Sequence, residues 1–274
     1  MIDYKKSNNA IIGTGFATIQ MSPELLANFT YLTGTFRTIA ESTRTDFSFS
    51  GDTDGFLPFG SEFSIENRQP DLCERFFYWP SNLSKRLHHP FVQSSFMQAV
   101  QAYEAEISQM AEAIMREICV AFDAQPLNMM RSASYLQLCA YSAKEQSTKR
   151  RFAQNPHEDG HLLSFIKPTH DGLVLVKGQA IEPVRLLKNE LAVLSGSLLT
   201  ELSDQAIPAS YHAVLMPHHS VERSSLIYFT NPNVNQNLFG FYRKAPLSIL
   251  KFINERHTEF GNRILELANI ETSA

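Results

Sequence analysis

The sequence predicts a mainly β protein with flanking helices, an α+β arrangement, and three observations carry that prediction. Seven short apolar segments separated by turn residues crowd the stretch after Gln125-Pro126, one long segment before them repeats at helical spacing, and helical spacing returns at the C-terminal end. Short strands at such close intervals point to a β-sandwich or barrel, the jelly-roll class included. With 274 residues, 43% of them hydrophobic, one core can organise the whole chain and still enclose a ligand pocket without disulfides. A single domain over 1–274 is expected, with a mostly helical N-terminal and lid region over 1–125, a β core over 126–235 and a C-terminal helical segment over 236–274.

The elements follow in order. Ser22, Pro23 and Glu24 supply an N-cap, a proline at the first helical position and an acid in the first turn. Leu25, Leu26, Phe29, Leu32 and Phe36 then keep helical spacing, so a helix to about residue 40 is expected. Residues 41–65 are rich in Ser, Thr, Asp and Gly but carry Phe47, Phe49, Phe56, Phe59 and Phe63, which predicts an ordered loop lying over a core. From Pro90 to about Ala124, Phe96, Val100, Tyr103, Ile107, Met110, Ile114 and Ile118 mark an amphipathic helix, long enough at roughly 50 Å to kink. The expected strands are 134–141, 161–167, 173–176, 181–186, 191–194, 211–215 and 224–229. A last helix is expected from Ala245 to about Asn269 through Leu250, Ile253, Phe260, Ile264 and Leu267.

Composition removes several function classes. A formal net charge of −4 leaves no basic excess to neutralise a phosphate backbone, so nucleic acid is not an expected partner. No run of 18 apolar residues exists to span a membrane. Cys73, Cys119 and Cys139 are odd in number and widely spaced, as reduced thiols of a cytoplasmic protein would be. Lys5 and Lys6 precede a stretch broken by Gly13, Thr14 and Gly15, too poor for a signal peptide.

The chemistry concentrates in Asn155-Pro156-His157-Glu158-Asp159-Gly160. On extended backbone His157 and Asp159 project to one side, so an imidazole nitrogen and a carboxylate oxygen converge on one ion. His212, inside a predicted strand, is the candidate third ligand. Two neutral imidazoles and one carboxylate suit a divalent first-row metal and leave coordination positions open for reaction. Alone, His-x-Asp is a weak signal. Arg223-Ser224-Ser225 sharpens it, because Arg223 and Ser225 share a strand face, and a guanidinium beside a hydroxyl clamps a carboxylate.

The run His157-Glu158-Asp159-Gly160-His161-Leu162-Leu163-Ser164-Phe165-Ile166 resembles the His-x-Asp-x-x-x-Leu-Thr-x-(Leu/Ile) signature of the isopenicillin N synthase-like branch of Fe(II)/2-oxoglutarate-dependent oxygenases. In the same order, Gly172-Leu173-Val174-Leu175, Ser210-Tyr211-His212, and Arg223-Ser224-Ser225 through Phe229 with Asn231-Pro232 resemble later motifs of that family. The resemblance covers about residues 133–233. It implies a double-stranded β-helix (jelly-roll) core, with His157, Asp159 and His212 as iron ligands and Arg223 and Ser225 on the far carboxylate of 2-oxoglutarate. Tyr141 aligns with a tyrosine that helps to seat that cosubstrate. The implied activity uses Fe(II), 2-oxoglutarate and O2 to oxidise a C–H bond of a small-molecule metabolite, by hydroxylation first and by desaturation or cyclisation as variants, releasing succinate and CO2. Departures from the family pattern fall at Gly196-Ser197, Asp204-Gln205 and Ala213.

Two rival functions stay in view: an iron oxidase of the same fold that needs no 2-oxoglutarate, and a non-catalytic β-sandwich whose His and Asp hold a structural metal. Other chemistry-bearing residues have plainer readings. His161 reads as a buried, hydrogen-bonded histidine and otherwise as a neighbour of the substrate. His88-His89 and His218-His219 read as surface or capping pairs, Arg75 as a salt-bridged surface arginine, and Lys149-Arg150-Arg151 as a solvated edge.

Overall fold

The computed structural model describes residues 4–64, 69–128, 131–141, 150–216, 222–233 and 238–259. The chain opens with α1 (Tyr4–Thr14), β1 (Phe16–Gln20), α2 (Pro23–Thr35), α3 (Glu41–Asp46), β2 (Ser48–Phe49), β3 (Asp54–Leu57), β4 (Cys73–Tyr78), α4 (Leu83–Arg86) and α5 (Ser95–Ala121). Then come β5 (Tyr135–Tyr141), β6 (Phe152–His157), β7 (Leu163–Pro168), β8 (Leu173–Lys177), β9 (Ala180–Pro183) and β10 (Glu190–Ser195). The described chain finishes with α6 (Ser197–Leu202), β11 (His212–Leu215), β12 (Arg223–Thr230), β13 (Leu238–Phe239), β14 (Pro246–Leu247) and α7 (Ile249–Glu259).

One sheet has the order β1-β10-β7-β12-β5-β4-β3-β2 and a second the order β6-β11-β8-β9, with every pairing antiparallel. Side chains of both sheets, among them Tyr141, Ile166 and Ile227 from the first and Gln154, Leu173 and Val214 from the second, border one interior cavity. This is a jelly-roll core with helices packed outside it. All seven apolar positions that mark the long helix are buried, and α5 packs on α1, α2 and β12. Among the described residues no helix is long and apolar enough to cross a membrane.

The seven expected strands are all present, within a few residues of their anticipated ends. The helices differ at their ends for identifiable reasons. Ser22 caps α2 as expected, accepting the Leu25 N–H at 3.0 Å, but α2 stops at Thr35 and passes into a 3₁₀ turn over Phe36–Thr38. The long helix begins at Ser95 and runs unbroken for 27 residues, about 40 Å. Ser94 sets that start by accepting the Met97 N–H at 3.2 Å, and Pro90–Gln93 forms a separate 3₁₀ turn that His89 caps. The last helix is described to Glu259, so the rest of its expected span lies outside the described residues.

The N-terminal part contributes more β structure than its pattern announces. Residues 41–65 form α3, β2 and β3, and β3 pairs with β4 so that Phe56 lies opposite Phe76. The phenylalanines that signal an ordered segment pack together: ring centroids are 4.9 Å apart for Phe56 and Phe76 and 5.3 Å for Phe76 and Phe96. β4 has five of its six residues buried and therefore lacks the alternation that betrays a half-exposed strand.

Candidate active site

β6 and β11 are antiparallel neighbours whose register sets His157 directly opposite His212. Asp159 follows two residues after His157, just past the strand end. One ligand atom from each of these three side chains lies within 4.8 Å of the other two. The imidazole centroids are 4.4 Å apart, and the Asp159 carboxylate oxygens stand 3.5 Å from His157 Nε2 and 3.7 Å from His212 Nε2. Each ring donates its Nδ1–H to a backbone carbonyl, His157 to Asn155 at 2.7 Å and His212 to Ser210 at 3.0 Å. That fixes the tautomers and turns both Nε2 lone pairs towards Asp159, as a metal site requires. Ser164 donates to Asp159 Oδ2 at 2.5 Å and orients the carboxylate. Burial opposes ionisation of Asp159, but His212, His157 and Ser164 together hold its carboxyl well below the usual range. For His212, burial prevails and keeps the ring neutral. Among the described residues the cluster has no fourth donor of this kind, whereas closed structural zinc sites use four.

The cavity between the sheets continues from this trio to Tyr141, Arg223 and Ser225. Arg223 and Ser225 sit on the same face of β12, and Tyr141 pairs with Arg223 across β5. The Arg223 guanidinium is buried, with its carbon 4.9 Å from the Tyr141 ring centroid, and its Nε donates to the Asp171 carbonyl at 3.3 Å. Nη1 and Nη2 of Arg223 and Oγ of Ser225 are buried and have no hydrogen-bond partner among the described residues. Buried polar atoms are rarely left so, and a guanidinium edge beside a hydroxyl is complementary to a carboxylate. Gly172, at φ +124°, makes room for this arginine, because a Cβ there would lie 3.3 Å from Arg223 Nε.

Residues 128–232 match the sequence model of the family described as the 2OG-Fe(II) oxygenase superfamily. This segment is a 2OG-Fe(II) oxygenase domain. Among curated proteins no sequence relative is found. Solved structures share the fold: a full-length Neurospora crassa protein in complex with alpha-KG has 16% identity and a TM-score of 0.74, covering 93% of this chain and 89% of that one. JOX2 in complex with 2OG, Fe and JA has 18% identity and a TM-score of 0.71, covering 98% and 84%. Arabidopsis thaliana AtDAO1, a dioxygenase for auxin oxidation bound to 2-oxoglutarate, has 14% identity and a TM-score of 0.66, covering 86% and 90%.

In the oxygenase domain Gly196 holds the Asp159 loop. Its N–H donates to the Leu162 carbonyl at 3.0 Å, and Ser197 N–H donates to the Asp159 carbonyl at 2.8 Å. A Cβ at Gly196 would lie 2.1 Å from the His161 carbonyl oxygen and 2.7 Å from that of Asp159, so backbone must move. Gly196→Ala is expected to cost about 1–3 kcal/mol and to weaken metal binding. Thermal unfolding without metal and a metal titration of the folded fraction check the two effects.

A second cavity of the domain borders the same trio on another side. His157, Asp159, Gln154 and Phe229 belong to both cavities, and the second adds Glu62, Ser64, Asp71, Arg75, Tyr135 and His161. His161 is buried, donates Nδ1–H to Asn231 Oδ1 at 3.2 Å and accepts from the Tyr135 hydroxyl at 3.3 Å. Burial holds its pKa down, and the ring is the buried, hydrogen-bonded histidine of the plainer expectation, placed in a cavity wall. Arg75 departs from expectation. It is not a surface arginine but is 1% exposed, ion-paired inside the cavity wall with Asp71 and Glu62. The sequence does not single out Glu62 and Asp71, since lone acids in a Ser- and Gly-rich stretch look solvated. Burial pushes the Glu62 carboxyl up to about 7, against the lowering influence of Arg75.

Of the remaining candidates, His89 caps a turn and lies 3.0 Å from Asp46, and Arg150 donates to the Pro70 carbonyl at 2.7 Å. His218, His219 and Lys149 lie outside the described residues. The departures Asp204-Gln205 adopt φ values of 53° and 67°, and the Asp204 carboxylate accepts the N–H groups of Tyr242 and Arg243 at 2.7 and 2.9 Å. They form a local turn and neither belongs to the His-Asp-His cluster.

Proposed function

We propose that the protein is an Fe(II)- and 2-oxoglutarate-dependent oxygenase that oxidises a C–H bond of a small-molecule metabolite in the cytoplasm, with hydroxylation as the principal outcome. The observation that carries this is the coincidence, in one interior cavity, of a His-Asp-His cluster with the partnerless guanidinium edge of Arg223 and hydroxyl of Ser225. A bound metal alone would explain the cluster but not those orphaned donors. Together they match a keto acid dicarboxylate held at both ends.

His157, Asp159 and His212 would hold the iron, a donor set of two imidazoles and one carboxylate suited to non-haem Fe(II). When bound, iron supplies the redox chemistry by which one O2 converts 2-oxoglutarate to succinate and CO2 and a substrate C–H to C–OH. The protein's own contributions are positional. Asn155 and Ser210 carbonyls fix the imidazole tautomers, and Ser164 orients the carboxylate. Arg223 and Ser225 bind the far carboxylate of 2-oxoglutarate. Tyr141, whose hydroxyl donates to Gln154 Oε1 at 3.1 Å, walls that end of the cavity. Ile166, Leu173, Val214 and Ile227 keep water from the chain between the two ends.

Structures of the same fold support a small-molecule substrate: the Neurospora crassa protein has also been crystallised with thymine, and JOX2 with JA. The net charge of −4 agrees with a partner that is neither nucleic acid nor an anionic membrane surface. The test is anaerobic addition of Fe(II) and then 2-oxoglutarate to the full chain, followed by O2. A metal-to-ligand charge-transfer absorption before O2, and succinate formed only with both additions after it, are the expected results. Iron-dependent O2 consumption that ignores 2-oxoglutarate would make the protein an oxidase instead.

A further inference from the structure

The two cavities that meet at His157 and Asp159 differ in chemistry. The Arg223 cavity offers a cationic edge that no anion among the described residues bonds. The other already has its cation neutralised: Arg75 Nη2 donates to Asp71 Oδ2 at 2.6 Å, and Arg75 Nε lies 3.1 Å from Glu62 Oε2. Ser64 donates to both oxygens of Asp71, at 2.9 and 2.8 Å. Beyond the ion-pair contact of Nε, two atoms of this cluster are left buried and without a hydrogen-bond partner, the donor Nη1 of Arg75 and the acceptor Oε1 of Glu62.

That remainder discriminates among ligands. A substrate carboxylate entering here would meet a guanidinium already paired with Asp71 and Glu62, so little attraction is left for it and the Asp71 carboxylate repels it. An ammonium would leave the Arg75 donor unfilled. A carbonyl and an N–H in one neutral group satisfy both atoms. The apolar walls are flat rings: Phe229 has its centroid 4.9 Å from that of Tyr135 and 4.7 Å from that of His161, and Phe63 adds a further ring to the lining.

We propose that the second cavity is the substrate pocket and that it selects a small, uncharged ring compound bearing an amide or imide edge, with Arg75 donating to its carbonyl and Glu62 accepting from its N–H. The proposal rests on the oxygenase function above, since the Arg223 cavity must be reserved for 2-oxoglutarate. Glu62 and Arg75 are then specificity-determining residues, and a site built around such unpaired atoms rejects analogues that leave them unfilled.

The test is ligand-observed NMR with the full chain, with and without Fe(II) and 2-oxoglutarate under nitrogen. The probes are 2-pyridone and glutarimide, compared with benzoate, benzylamine and anisole. The two amide-edge probes are expected to bind in mutual competition at least about tenfold more tightly than the other three. Glu62→Gln keeps the side-chain volume, and it is expected to weaken both amide probes at least about tenfold while 2-oxoglutarate affinity is unchanged. Circular dichroism and the thermal midpoint verify that the variant is folded. Preference for benzoate or benzylamine, binding of no probe, or amide binding indifferent to Glu62→Gln would overturn the proposal. Failure of the unaltered protein to bind Fe(II) and 2-oxoglutarate would instead overturn the oxygenase function, because probe selectivity is also read without either.

Discussion

Asp159→Ala is expected to abolish stoichiometric Fe(II) binding and to lower 2-oxoglutarate-dependent turnover by at least about 10³-fold, on the order of 4 kcal/mol. Asp159 is the cluster's only anion, and its carboxyl is held ionised by the two imidazoles and Ser164 despite burial. Without it, two neutral imidazoles face a dication with no charge to offset the cost of dehydrating it. His157→Ala should act alike, because His157 faces His212 across the β6–β11 ladder and no other described residue joins the cluster. Metal analysis after anaerobic reconstitution, together with succinate release, provides the check. Full iron occupancy and turnover in both variants would remove these residues from the centre of the chemistry.

Arg223→Met is expected to separate function from stability. The affinity for 2-oxoglutarate should fall by about 10²–10³-fold, the loss expected on removing one partner of a buried charge pair. Iron binding should persist, since Arg223 does not belong to the His-Asp-His cluster. Without cosubstrate, the variant should be no less stable than the unaltered protein. Both Nη atoms of Arg223 are buried with nothing to bond, and an apolar side chain of similar length removes that burden. The unaltered protein should gain about 2.7 kcal/mol from 2-oxoglutarate at one hundred times its Kd, and Arg223→Met should gain almost nothing at the same concentration. Thermal midpoints with and without 2-oxoglutarate measure both effects. A variant that unfolds easily but still binds 2-oxoglutarate would show Arg223 to be structural.

Periodic elements are legible in the sequence because each has one wet and one dry face. The seven apolar positions of α5 all point inward, and the Ser22 cap marks the start of α2 by a hydroxyl that can be read from the chain, whereas the sequence pattern starts α5 at Pro90 and misses the Ser94 cap. Strands buried along their whole length are legible only as apolar runs between turn residues, as β5 and β12 are, and the strands of the N-terminal part lack such a frame. β4 shows no alternation, and β3, at four residues, is too short to have a period. The His-Asp-His cluster is legible because His157 and Asp159 are near neighbours in sequence and His212 stands in a recognisable motif. Arg75 reads wrongly as a surface residue because its two counter-charges, Glu62 and Asp71, look like ordinary surface acids until β4 carries the guanidinium beneath them.

The sequence by itself determined the jelly-roll class, the long supporting helix and the identities of the donors, since hydrophobic period and short motifs are properties of neighbouring residues. Tertiary structure alone decided which cavity each charged side chain serves. His157 opposes His212 only through the pairing of β6 with β11, and Arg223 keeps its bonding edge empty because no described residue brings a carboxylate to it. Arg75 carries the same guanidinium and is neutralised, because folding seats Asp71 and Glu62 against it. Charge type is local, whereas its compensation depends on residues far along the chain, so two arginines that look equivalent in sequence acquire opposite roles.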